Sequence, residues 1–335
     1  MIDILSIQPN QVSKDMSGYS VMMYGEPKSG KTTTASKFPK ALIAAFEKGY
    51  SAIPNVMAAP INSWSEFRQL LKQLEKPEAK ATYSTIVVDT ADIAYDYCIK
   101  YICAKASDAS HDYESIGDIP YGRGYKMAET EFDECLRKIL QMDYGLVLIS
   151  HAVDKSFTDT NGNEYNQIVP TLDARARKIC ERTCDIIGYT HGEYNADGGT
   201  TTYMEMRGTP RFVAGSRFKY TPDRIVLNYD NLLKAINDSI EKEASEHGDH
   251  ILTDEKHDFR KDTEPEYDFD AMMEEFRELI DALMADTSKQ ASNAKKITSI
   301  TDKYLGKGKK VGDCTPTNAP QLDLILMELR DLVKK

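Results

Sequence analysis

Residues 20–38 read SVMMYGEPKSGKTTTASKF and contain the pattern G-x-x-x-x-G-K-[ST] once, from Gly25 to Thr32. At ordinary residue usage a chain of this length matches the pattern by chance about once in a hundred, so the match carries information. Its setting adds more. Val21 to Tyr24 form an apolar and aromatic run of strand length, and GKTTTASKF opens a helix at the second glycine, giving the strand, loop, helix order the pattern requires. The candidate nucleotide-binding segment is then Gly25, Glu26, Pro27, Lys28, Ser29, Gly30, Lys31, Thr32 and Thr33, with backbone N–H groups turned to phosphate at the positive end of a helix. Lys31 would reach the β- and γ-phosphates, and the Thr32 hydroxyl would take a place on Mg²⁺. The expected ligands are ATP and Mg²⁺; the competing reading is a glycine-rich turn before a surface helix.

Length and composition allow two domains: 335 residues, 41% hydrophobic and 28% charged. No window approaches 18 continuous apolar residues, and the N-terminus MIDILSIQPNQVSKDM lacks a charged segment followed by a long apolar run. The expectation is a cytoplasmic protein with no membrane partner. None of the six cysteines sits in a C-x-x-C pair. Cys180 and Cys184 are four apart on a predicted helix without a partner His or Cys, so they read as half-buried thiols, and neither zinc nor disulfides are expected.

The net charge of −11 is unevenly placed. Residues 238–286 hold 18 Asp and Glu against 5 Lys and Arg, whereas residues 287–335 hold 10 basic and 5 acidic side chains. Residues 1–237 are therefore close to neutral and have room for a local basic groove. The charge shift also suggests boundaries: a core over residues 1–237, an acidic linker over 238–270, and a small helical module over 271–335. Within the module, Met272, Met273, Phe276, Leu279, Ile280 and Leu283 recur at helical spacing, as do apolar residues between Leu322 and Val333.

Further strands are predicted at 41–46, at 85–89 in STIVVDT and at 144–151 in YGLVLISH, with a helix at 64–75. Alternating strands and helices imply an α/β fold with a mostly parallel sheet flanked by helices, which binds ligands at the carboxyl ends of its strands. The polar residues there are candidates. Asp89 can hold Mg²⁺, or cap the next helix. Glu47 can deprotonate the attacking water, or face solvent. His151, next to Ser150, lies where a γ-phosphate would be sensed, or is structural.

The succession GEPKSGKTT, a strand ending in Glu47, TIVVDT, IGDIPYGRGYKMAETEF, LVLISH, DIIGYTHGEY and FVAGSRFKY resembles the RecA core over residues 17–237. It looks most like bacteriophage nucleotide-binding proteins that include RecA-like single-strand annealing ATPases. The resemblance implies a RecA-like ATPase core, a catalytic Glu47, and a first DNA-binding loop over residues 111–125. In that loop Tyr121 and Tyr125, with Tyr113, offer stacking faces and Arg123 a cation; the alternative is a loop whose tyrosines simply pack. The family's second DNA loop follows the fourth strand, where AVDKSFTDTNGNEYNQIVP instead reads as a hairpin turning at Asn161-Gly162. Arg217 and Lys219 match a basic pair that reaches the neighbouring subunit's γ-phosphate, unless they are ordinary solvated side chains.

The function implied is DNA-stimulated ATP hydrolysis by a homo-oligomer, filament or ring. It would anneal or pair single-stranded DNA in phage recombination or replication in the host cytoplasm, with a single-strand-binding protein as a further candidate partner. A ring-shaped translocase and a non-hydrolysing ATP-gated adaptor are the alternatives.

Overall fold

The computed structural model describes residues 9–248, 251–253, 255–256, 267–285 and 287–333. After a short strand β1 (Val12–Ser13), the run ahead of the glycine-rich loop forms β2 (Ser20–Gly25), buried along its whole length. Burial on both faces explains why it reads as a continuous apolar run rather than an alternating one. Met22 and Tyr24 point into one hydrophobic layer, Val21 and Met23 into the other.

The same division runs through β3 (Ala41–Ala45), β5 (Thr85–Asp89) and the first half of β6 (Gly145–Thr158). The layer under Met22 and Tyr24 is supplied by α2 (Trp64–Leu74), α4 (Ala91–Ala106), α5 (Arg123–Gln141) and α6 (Ala174–Thr183). The opposite layer is supplied by α1 (Lys31–Ala35) with Phe38 and by α7 (Tyr229–His247). The predicted α/β architecture is thus present.

Strand β4 (Met57–Pro60) and helix α3 (Pro77–Thr82) have no marked sequence signal. The remaining strands of this unit are β7 (Glu164–Pro170), β8 (Ile186–Tyr194), β9 (Thr200–Glu205), β10 (Gly215–Ser216), β11 (Arg224–Val226) and β12 (Leu252–Thr253). Sheet order is β11-β9-β8-β2-β6-β5-β3-β4, with β10 on β8 and β7 on β6. From β8 to β4 every neighbouring pair is parallel. The antiparallel pairs lie at the β11 side and in the β6–β7 hairpin.

That hairpin is β6 running past His151 and folding back as β7. Asp159 N–H donates to Asn163 O at 2.9 Å, and Gly162 takes the left-handed conformation at φ 84°, so the chain reverses around Asn161-Gly162 as its sequence suggests.

The described residues fall into two compact units, one ending at Lys256 and the other starting at Tyr267. The boundary suggested at residue 237 falls inside α7, which continues to His247 with Ser239, Ile240 and Ala244 buried. After it, Leu252 and Thr253 pair with Val12 and Ser13. The acidic residues of this stretch occupy the outer face of a helix whose apolar stripe continues underneath, so charge changes before packing does. Residues 257–266 of the supposed linker lie outside the described residues. The second unit packs α8 (Phe269–Met284), α9 (Gln290–Leu305) and α10 (Ala319–Val333) around Leu283, Val311, Leu322, Ile325, Leu326 and Leu329. Arg330 grips Glu275 with two hydrogen bonds at 2.6 and 2.7 Å. Among the described residues no helix is long and apolar enough to cross a membrane.

Candidate nucleotide site

Register brings the polar ends of the strands level. Gly25 pairs with His151 on one side and Thr190 on the other, while Asp89 pairs with Ala45 and Ile149. At Gly25 only glycine fits, because a Cβ would lie 2.0 Å from the Thr190 carbonyl oxygen. The chain then leaves the sheet through an exposed rim of Glu26, Pro27 and Lys28, with Ser29 and Gly30 half-buried and Thr33 exposed. Gly30, at φ 90°, caps α1. The first helical bond of α1 runs from Thr34 N–H to Gly30 O at 2.9 Å, so the N–H groups of Lys31, Thr32 and Thr33 have no acceptor within the helix. These are the donors a phosphate would use.

Lys31 is 5% exposed, and its ammonium arches back over the loop to donate to Gly25 O at 3.1 Å, Glu26 O at 2.7 Å and Ser29 Oγ at 3.3 Å. Burial lowers its pKa, and the charges of Asp89 and Glu47 partly oppose that. A triphosphate would replace these carbonyl oxygens with full negative charge.

Asp89 is fully buried at the end of β5, and its peptide bond to Thr90 is cis. Thr32 donates to Asp89 Oδ2 at 2.8 Å, while Asp89 Oδ1 has no hydrogen-bond partner among the described residues. Burial pushes its pKa up to about 6; the Thr32 hydrogen bond opposes that rise and the Glu47 charge adds to it. The Asp89 carbonyl also accepts from Phe46 N–H at 2.7 Å and Glu47 N–H at 3.3 Å, which fixes where Glu47 leaves β3.

A Cβ on Gly49 would lie 3.4 Å from Glu47 Oε1, 3.5 Å from Thr32 Oγ1 and 3.6 Å from Asp89 Oδ2. Three oxygens from three segments thus surround one small space, and one buried carboxylate oxygen beside it has no partner. This donor set fits Mg²⁺, a hard cation with oxygen ligands. Glu47 Oε2 lies 3.5 Å from His151 Nε2, and His151 Nδ1 is buried without a hydrogen-bond partner among the described residues. Lys31, Thr32, Asp89, Glu47 and His151 are therefore gathered at one end of the sheet.

Arg217 and Lys219 are not. Arg217 binds Asp185 at 2.9 Å and the Arg182 carbonyl at 3.1 Å, and Asp185 in turn holds the first residue of β2, Ser20. The length of β2, about 17 Å, separates Arg217 from the loop of its own chain. Lys219 pairs with Glu246 at 3.2 Å. The FVAGSRFKY block returns to the amino ends of the strands because β10 pairs with the first residues of β8.

In the 111–125 segment, Tyr121 is 99% exposed at φ 60°, Arg123 is exposed, and Tyr125 is covered by the Arg175 guanidinium at 4.4 Å from its ring centre. Tyr113 packs against the core with Ile116 and Ile119. Cys180 and Cys184 are buried, more fully than their spacing suggested, and burial raises both thiols.

Sequence reasoning missed several participants. On the hairpin, Phe157 stacks on Tyr165 at 5.8 Å, with Lys155 and Arg177 each 5.9 Å from the Phe157 ring. The basic and aromatic residues Lys155 and Phe157 and the DARARK run are a signal, but only folding brings Arg177 to Phe157 and Arg175 to Tyr125.

Residues 17–218 match the family model described as AAA domain. The chain is also 31% identical over 338 residues to the SPbeta prophage-derived uncharacterized protein YorG of Bacillus subtilis (strain 168), with 99% of each chain covered. The loop, the buried strand-end carboxylate and the sheet that levels them agree with these matches: the chain belongs to the AAA domain family of P-loop NTPases.

Proposed function

We propose that this protein hydrolyses ATP and couples hydrolysis to binding single-stranded DNA, acting as a homo-oligomer that pairs or anneals strands. Lys31 and the α1 N–H groups bind the β- and γ-phosphates. Thr32 and Asp89 hold Mg²⁺, which when bound neutralises charge on those phosphates. Glu47 takes the proton of the attacking water, and His151, touching Glu47 and opening the hairpin, senses the γ-phosphate.

One observation carries the DNA reading: cations lie against aromatic rings in the hairpin and at the starts of α5 and α6, at the same end of the sheet as the nucleotide site. Arg175 lies over Tyr125, and Lys155 and Arg177 flank Phe157, which stacks on Tyr165. Rings stack on bases of any sequence and cations track the phosphates. Tyr121 and Arg123 extend this surface.

Fluorescence anisotropy with a labelled oligonucleotide tests it. Lys155→Ala or Arg123→Ala should weaken binding and reduce the slope of log affinity against log salt by about 0.7. Tyr165→Ala or Tyr125→Ala should cost about 1–3 kcal/mol per stacked base with little change in slope. If all four bind DNA as the parent does while nucleotide binding is intact, this surface is not the DNA site, and the exposed lysines Lys307, Lys309 and Lys310 would be tested next.

A further inference from the structure

Strands β8 and β9 run past the last parallel pairing and carry side chains there that the nucleotide site does not use. His191 and Glu193 are two apart on β8 and so share a face; Glu205, registered opposite Tyr189 on β9, shares it too. One ligand atom from each of the three lies within 4.8 Å of the others, with His191 Nε2 and Glu205 Oε1 at 2.9 Å. The imidazole stacks on Tyr189 at 5.3 Å and leans on Tyr203 at 6.4 Å, so packing sets its orientation. Arg224 binds Glu193 at 2.8 Å and lies over Tyr203 at 4.2 Å, a position it can keep if Glu193 turns inward.

Cross-strand ion pairs explain part of this arrangement. With the imidazole neutral, as a metal ligand must be, two carboxylates and one guanidinium leave excess negative charge around a nitrogen donor. We propose that His191, Glu193 and Glu205 form a site for a borderline divalent ion, Zn²⁺, whose remaining positions are open to water. One imidazole among the ligands favours such ions over Mg²⁺. The ion would pin β9 to β8, whose Thr190 hydroxyl meets Ser29 of the phosphate loop at 3.0 Å.

Titrating the nucleotide-free, full-length protein with Zn²⁺ by calorimetry, with circular dichroism as the fold check, decides the matter. The expected result is one ion per chain, lost in His191→Ala, weakened about tenfold or more in Glu205→Gln, and unchanged in His151→Ala. If His191→Ala does not fold, Glu205→Gln decides alone. The proposal is overturned if wild type takes up no Zn²⁺, if both β8–β9 variants bind as wild type does, or if His151→Ala removes the ion, which would place it beside Glu47.

Discussion

Asp89 concentrates the chemistry of the site in one side chain. Buried and lacking a partner for Oδ1, it has a pKa pushed up to about 6 by burial, against about 4 in an unfolded chain. The ligand-free fold therefore holds a proton on Asp89 more tightly than the unfolded chain does. Asp89's contribution to stability is fully present below about pH 4 and is lost as pH rises through about 6, a swing of about 3 kcal/mol. Urea unfolding without nucleotide or divalent ion should show wild type losing that much relative to Asp89→Asn between pH 4 and 7.5; parallel pH profiles would contradict the assignment. Gly49 offers a second test at this scale. A methyl there meets the three oxygens at ordinary contact distance, so Gly49→Ala should fold normally but bind Mg²⁺-nucleotide about tenfold or more weakly, because the carbon crowds the ion's space. Calorimetry with Mg²⁺-ATP against ATP plus chelator checks this, and an unaltered Mg²⁺ effect would move the ion elsewhere.

At the scale of elements, the parts legible in sequence are those where local chemistry and final environment agree. Val21–Tyr24, the run around Val87 and that around Val147 are buried on both faces, so their apolar runs mark strands directly. Asp89, Glu47 and His151 were readable because each directly ends or follows such a run. Less visible were β4, a short edge strand with exposed Met57 and Pro60, and the true course of α7, whose acidic outer face hid its buried stripe. The hairpin surface was beyond reach because its rings and cations come from segments separated in sequence. The end of the sheet at which Arg217 lies was not legible either, because a short motif carries no information about where β10 will pair. The salt-slope experiment above belongs to this scale, since it asks whether hairpin, α5 and α6 form one binding surface.

At the scale of the whole molecule, Arg217 bears on assembly. Bound to Asp185 at the amino ends of the strands, it cannot serve the nucleotide of its own chain, so a role in hydrolysis requires a second copy. Mixtures of Arg217→Ala and Lys31→Ala should then regain part of the ATPase activity that each lacks, because hybrid interfaces pair an intact loop with an intact arginine. Absence of rescue at every ratio would end that role. The central claim, hydrolysis coupled to DNA, is tested most directly by ATP turnover with and without single-stranded DNA, for wild type beside Glu47→Gln. The account predicts turnover that rises with DNA in wild type and falls about 10²–10⁴-fold in Glu47→Gln while ATP still binds. Near-zero turnover that DNA leaves unchanged, with ATP bound, would contradict it and point to a nucleotide-gated adaptor.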